Sequence, residues 1–363
     1  MQIWDSYQAF YREGKMNKEI LIILILITLI LSVVIGIQFY TTMNSGKELF
    51  NKAPELQGIA GYINTEAVKL EELRGKVVLI DFWTYTCINC IRTLPYLNAW
   101  HEKYSDDGLI IIGVHTPEFE FEKDYDNVFA AVEKYGIKYS VVQDNDYKTW
   151  NAYQNKFWPR KYLVDINGNI RYDHIGEGAY EETEKVIQEL LEERADRLNS
   201  KMDKENITKP EIAVDVDFTK IKSPELYLGY KFARVDIGNP EGMQPGQTVE
   251  YKLPENISPN VVYLEGGWKN NADSMELVSD NGKVVLFYSA KDVNIVAGGN
   301  SLLGIFLDDQ TVGEARGNDV INDKVLVREN RLYNIVSDQG YKSRLVEIDV
   351  EGKGFQIYTF TFG

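Results

Sequence analysis

The chain has 363 residues, 44% of them hydrophobic, enough to bury two separate cores. Its formal net charge of −16 argues against a polyanionic partner such as nucleic acid. With two cysteines in all, it has no framework of structural disulfides.

Residues 1–18 show no clear pattern and form an N-terminal segment. Residues 20–37, ILIILILITLILSVVIGI, carry no charge. About twenty apolar residues suffice to cross a bilayer as a helix, and a buried globular helix would normally keep a polar face. A membrane span over 19–40 is therefore expected. Arg12, Lys15 and Lys18 precede it closely, whereas Lys47 and Lys52 lie further beyond it among acids. The positive-inside rule puts residues 1–18 in the cytoplasm and the bulk of the chain outside, as a single-pass protein. The run is long for a cleaved signal peptide and no Ala-x-Ala-like site follows, so an uncleaved anchor is favoured. Met1 and Met16 both remain open as the start. Residues 41–52 form a juxtamembrane linker.

Residues 77–83, VVLIDFW, read as a buried strand, and a helical pattern follows from 87 to 104 through Ile91, Leu94, Leu97 and Trp100. Pro95 falls inside that helix and should kink it. Between strand and helix stand Cys87 and Cys90 as Cys-Ile-Asn-Cys. A helix start aims unpaired N–H groups at the first sulfur, and in such motifs its pKa falls from about 8.5 to roughly 3.5–7.5. Cys87 is then the attacking nucleophile and Cys90 the resolving thiol. Three other readings stay open. The pair could be half of a zinc site, although His101, His115 and His174 show no paired spacing. It could be an inert disulfide closing a tiny loop, or two unrelated buried thiols.

After Gly108, residues 109–115 give a second buried strand, 124–135 a helix closed by Gly136, 139–143 a strand and 147–155 a helix. Residues 161–165 and 170–175 make a hairpin across Asn167-Gly168, and 181–198 a helix with an apolar stripe through Ile187, Leu190, Leu191 and Leu198. Strand and helix alternate as in a parallel α/β core with an antiparallel edge. His115 and Glu118, just past a strand's C-terminal end, are further site candidates, since sheets of this class hold their sites there.

DFWTYTCINC, HTPEF, the Trp158-Pro159 step and YLVDINGNIRYDHIGEG stand in the order used by thioredoxin-fold proteins of the TlpA/DipZ-like type, which residues 53–198 resemble. The resemblance implies a thioredoxin-like domain over 53–200, needing neither cofactor nor metal. It implies that Pro159, preceded by Trp158, is a cis-proline facing the cysteines, and that Asp81 accepts the resolving thiol's proton, an ordinary structural acid being the alternative. Trp83 would pack beside the motif. Ile88-Asn89 replaces the Gly-Pro or Pro-Pro of better-known relatives, so a redox potential does not carry over.

Residues 201–212, with the polar ENITKP, read as a linker. Over 213–363 the texture changes to short strands at 249–253, 261–264, 283–289, 302–307, 325–327, 344–350 and 356–362, separated by Gly, Asn, Asp and Pro. That pattern predicts an all-β, jelly-roll-like sandwich. SPELYLGYKFAR and the closing YTFTFG resemble the domain that follows the thioredoxin unit in DipZ-type proteins, similar in fold to carbohydrate-binding modules. Tyr227, Tyr230, Tyr263 and Trp268 are the candidates for stacking on a cell-wall glycan, with core packing as their plainer role.

The function expected is that of a membrane-anchored, extracytoplasmic thiol–disulfide oxidoreductase acting on protein disulfides as a reductase. The resemblance implies a CcdA-like membrane carrier as its electron donor. The alternative is a cell-surface glycan- or partner-binding protein in which the thioredoxin unit is secondary. A peroxidase is a third reading, since that group shares the fold.

Overall fold

The computed structural model describes residues 51–202 and 205–363, together with Ile27, Leu31 and Ser32. The rest of the apolar run, the span expected over it and its orientation lie outside the described residues. Among the described residues no helix is long and apolar enough to cross a membrane.

The first sheet is built on β2 (Val77–Trp83), whose seven residues are all buried because both its faces are covered. β3 (Leu109–His115) lies parallel on one side and β5 (Arg160–Val164) antiparallel on the other. β4 (Ser140–Gln143) extends the sheet beyond β3, β1 (Gly61–Ile63) closes that edge, and β6 (Ile170–Ile175) closes the other, giving the order β1-β4-β3-β2-β5-β6. The β5–β6 hairpin turns at Asn167-Gly168 as expected. Gly168 has φ +81, and the Asp165 carboxylate accepts from the N–H groups of Asn167 and Asn169, both at 2.9 Å.

Helices α1 (Ile88–Tyr104) and α4 (Tyr180–Arg197) share a core with Leu79 and Ile111, through Leu94, Leu97 and Trp100 of the one and Ile187, Leu190 and Leu191 of the other. α1 continues through Pro95. α2 (Tyr125–Lys134) starts on Asp124, whose side chain accepts from two first-turn N–H groups, and α3 (Lys148–Ala152) is shorter than its pattern suggested.

The second sheet has ten strands in the path β13-β12-β15-β11-β16-β10-β9-β8 with two additions: β8 (Thr248–Tyr251), β9 (Val262–Asn270), β10 (Met275–Leu277), β11 (Asn281–Gly298), β12 (Ser301–Leu307), β13 (Gln310–Thr311), β15 (Arg331–Glu351) and β16 (Gln356–Phe362). β14 (Lys324–Val327) adds to β12 and β7 (Leu226–Tyr227) to β16. The strands expected at 283–289 and 344–350 are segments of far longer ones, of 18 and 21 residues. Their extensions are interrupted by polar residues, which the ladder tolerates through register shifts at Ala290/Asp292 and Val293/Asn294. Buried Asn294 is paired there, its side-chain oxygen accepting from Asn334 at 3.0 Å.

Both domains fall within one compact unit, Lys52–Gly363. Phe119, just past β3, packs on Tyr358 of β16 at 5.1 Å and is buried with it and Val296. Within the segment read as a polar linker, Glu205 and Thr208 are held against α4 as a strap. Glu184 of α4 is buried and accepts from Trp100, Lys103 and Tyr104 of α1 and from both the N–H and the hydroxyl of Thr208, at 2.7–3.1 Å. Gln188 holds the Glu205 carbonyl at 2.9 Å. Burial alone would raise the Glu184 pKa, but the hydrogen bonds from Tyr104, Thr208 and Lys103 outweigh it and hold the carboxyl below its ordinary value. Its stabilising contribution is therefore complete above the unfolded glutamate range and is lost as pH falls through the lowered folded value. Glu184→Gln is expected to cost about 3 kcal/mol at pH 7 in urea denaturation, and much less at pH 3. An equal deficit at both pH values would show that the charge is not what holds the strap.

Candidate functional site

β2 ends inside the fold, and its chain must turn before α1 can start. Thr84, Tyr85 and Thr86, all buried, make that turn. The Cys87 N–H donates to the Thr84 carbonyl at 3.3 Å, and the Thr86 hydroxyl donates to Glu122 Oε1 at 2.5 Å. Glu122 is itself buried, and its other oxygen accepts from the N–H groups of Glu118 and Phe119 at 2.5 and 2.9 Å. One carboxylate thus ties the turn before the cysteines to the loop after β3.

Cys87 occupies the N-cap of α1, where its Sγ accepts from the Cys90 N–H at 3.2 Å. Both cysteines are free thiols; Cys87 is partly exposed and Cys90 buried. The helix start does not win over the surroundings of Cys87. Burial pushes its pKa up, Glu225 and Glu118 push it further, and the hydrogen bond with Cys90 only partly opposes them. A helix N-terminus is worth about 0.3–1 kcal/mol to a charge, less than desolvation with two like charges nearby. The lowered pKa expected from the motif is therefore corrected to a raised one. Cys90 stands well above its ordinary value, chiefly through burial, with the Cys87 hydrogen bond and the Asp81 charge adding.

Asp81 lies beneath this pair, 1% exposed, with its Oδ1 lacking a hydrogen-bond partner. Burial pushes its pKa up to about 7, against the pull of Lys161. The β2–β5 register sets Lys161 directly across from Asp81, fully buried, with its amine on the Gly176 carbonyl at 3.3 Å. On the other side Asp81 faces Gly113, where a Cβ would come within 2.9 Å of the Trp83 indole nitrogen. Trp83 is fully buried and meets His115 edge to face at 5.3 Å.

His115 is buried, stacked on Tyr85 at 5.7 Å, with Nε2 3.3 Å from the Thr84 hydroxyl. Burial lowers its pKa to about 3, so the ring is neutral at physiological pH. Glu118 is half-buried. Burial and neighbouring Glu122 push it up to about 8, while a 2.6 Å hydrogen bond from the Tyr227 hydroxyl opposes them. Trp158 packs on Trp150 at 4.2 Å and donates its indole N–H to the Thr116 carbonyl at 3.0 Å. The Trp158–Pro159 bond is cis, and Phe82 pairs with Arg160, so Pro159 lies at the end of the sheet where β2 delivers Cys87.

Lys161, Glu122, Glu225 and Tyr227 bear on the site without having been expected there. A lysine at a position of β5 that pairs with the buried strand β2 marks Lys161 only once that pairing is known. Tyr227 and Glu225 come from the SPELYLGYKFAR stretch of the β domain, and nothing in that stretch points to the cysteines. Of the four aromatics considered for glycan stacking, Trp268 and Tyr263 are buried and Tyr227 is half-buried, which leaves Tyr230 exposed. Among the described residues no group of three or more His, Cys, Asp and Glu is placed to hold a metal ion.

The profile of the AhpC/TSA family matches residues 50–173, and that of the thioredoxin-like C-terminal domain matches residues 223–363. Protein DipZ of Mycobacterium bovis is 34% identical over 316 residues, which cover 86% of this chain and 43% of that protein. The chain thus spans less than half the length of its DipZ relatives. Thiol-disulfide oxidoreductase YkuV of Bacillus subtilis is 28% identical over 140 residues, 39% of this chain and 94% of that one. Thiol-disulfide oxidoreductase ResA of Bacillus thuringiensis is 28% identical over 176 residues, 48% and 99% of the two chains. Carrying a cysteine pair at the head of α1 and the two domains in this order, the chain is similar to thioredoxin-fold thiol–disulfide oxidoreductases of the TlpA/DipZ-like type.

Proposed function

We propose that the protein reduces protein disulfides outside the cytoplasm, tethered to the membrane by residues 19–40. Cys87 Sγ attacks one substrate sulfur, so a Cys87–substrate disulfide forms, the substrate's own disulfide breaks, and the leaving thiolate takes up a proton. Cys90 gives its proton to Asp81 and attacks Cys87 Sγ, which releases the second substrate thiol and leaves a Cys87–Cys90 disulfide. Two electrons pass to the substrate, and a CcdA-like membrane carrier returns them. Pro159 forms the floor of the substrate groove. The observation that carries this reading is the contact of Cys87 Sγ with the Cys90 N–H, with Cys90 buried where the Asp81 charge acts on it. The charge-free run at 20–37 supports the anchor.

Insulin reduction tests it: with dithiothreitol as electron source, the protein is expected to shorten the onset of precipitation severalfold, and an unchanged onset would overturn the reading. A potential of the pair near about −270 mV fits a reductant, and one near about −120 mV an oxidant. The AhpC/TSA match brings in the peroxidase reading, which requires fast peroxide consumption through a Cys87 sulfenic acid. A buried resolving thiol one helical turn away fits disulfide exchange better.

A further inference from the structure

The β domain reaches the cysteines through β7, and what it brings is acidic. Tyr227 donates its hydroxyl to Glu118 Oε1 at 2.6 Å and lies 3.4 Å from Glu225 Oε2. One carboxylate from each domain therefore flanks a single phenol, and both act on Cys87. Arg92 forks onto Glu177 at 2.9–3.1 Å and holds Asn89 at 2.7 Å, and its charge reaches Glu225 only from a distance, after that of Arg234. Exposed Arg234 opposes both acids, and buried Glu122 stands behind Glu118. From Glu225 and Tyr227 a cavity of about 210 Å³ runs into the β domain, lined by the apolar side chains of Leu226, Leu228, Val235 and Ile237.

We propose that this lip, Glu118 from the thioredoxin domain with Glu225 and Tyr227 from the β domain, selects disulfides that carry a lysine or arginine beside the cystine. The proposal rests on the dithiol-exchange reading and names its substrate class. Burial pushes Glu118 up to about 8, so near neutral pH it is largely protonated. Whenever either carboxyl is ionised it opposes ionisation of the thiol, and a substrate cation docked between them cancels that charge as the scissile disulfide arrives. An acidic neighbour would add negative charge at the same point. The cavity takes an apolar side chain of the same extended segment, and the acidic surface speeds encounter with a cationic one.

Three disulfide-bridged peptides, alike except for Lys, Ser or Glu beside each cysteine, test this in the full chain. The expected kcat/KM order is Lys, Ser, Glu, with about tenfold between the extremes, the change in thiolate fraction for one pKa unit. In a Glu118→Gln/Glu225→Gln variant the ratio should fall below about threefold. Turnover of the Ser peptide shows that this variant is folded; if it is lost, Glu225→Gln alone carries the test, its ratio expected to fall about threefold. Equal rates on the Lys and Glu peptides in the unaltered protein would overturn the proposal, as would a ratio that the substitutions leave unchanged. Failure on all three peptides would instead overturn the dithiol reading beneath it.

Discussion

A Cys87→Ser variant is expected to lose disulfide reduction altogether, whereas Cys90→Ser should react once and stop. Serine at position 87 replaces a thiol by a hydroxyl that does not ionise in this range, so no mixed disulfide forms. Serine at position 90 leaves the attacking sulfur in place and removes the group that resolves the adduct. Insulin reduction should fall by about 10³-fold or more in both variants. Only the second should carry a covalently attached substrate chain, seen as added mass without reductant and lost with it. Turnover by Cys87→Ser, or an adduct on Cys87→Ser rather than on Cys90→Ser, would reverse the assigned roles. Both side chains are small and the change is close to isosteric, so loss of the fold does not confound the result.

The strands that run buried on both faces were legible because their sequence is unambiguous: β2 and β3 stand where VVLIDFW and LIIIGVH placed them. Edge strand β6 is more exposed, and there the Asn167-Gly168 turn rather than an apolar run located it. The cysteine pair was legible because it is fixed by a strand before it and a helix after it. What stayed hidden depends on register and on distance along the chain. Asp81 and Lys161 face each other only once β5 is known to pair antiparallel with β2. Glu118 and Tyr227 meet across 109 positions, and the apolar cluster that docks the two domains joins Phe119 and Phe121 to Tyr227, Val296, Leu332 and Tyr358, residues far apart in the chain. Burial raises the pKa of Cys87, and docking adds the Glu225 charge, neither of which local reasoning about a helix start can include. In the β domain the ladder carries buried polar residues such as Asn294 through bulges, so strand ends read from polarity fall too early.

Replacing Asp81 by asparagine should slow the resolving step and stabilise the protein at alkaline pH, two effects of one buried carboxyl. Its pKa in the fold is about 7, raised from an ordinary 3.8 by burial and pulled back in part by Lys161. As the carboxylate it can accept the Cys90 proton, so resolution in the unaltered protein should quicken as pH rises through about 7. With asparagine there is no acceptor, and Cys90, itself held far above its ordinary value, must ionise unaided. The rate at pH 7 should drop by about 10²-fold and the rise in rate should move to strongly alkaline pH. For stability the sign follows from proton counting. Between about pH 4 and pH 7 the folded state keeps a proton that the unfolded chain has lost, so stability falls with rising pH across that window and levels off above it. A rise of that size corresponds to about 4 kcal/mol. Asparagine removes that slope but leaves Lys161 without its counter-charge, so the net gain at pH 8 should be about 2 kcal/mol. Urea denaturation at pH 5 and pH 8, with stopped-flow resolution of a preformed mixed disulfide, reads both effects. A variant that keeps the pH 7 rise in rate, or is less stable than the unaltered protein at pH 8, would show that Asp81 is a structural acid and takes no proton from Cys90.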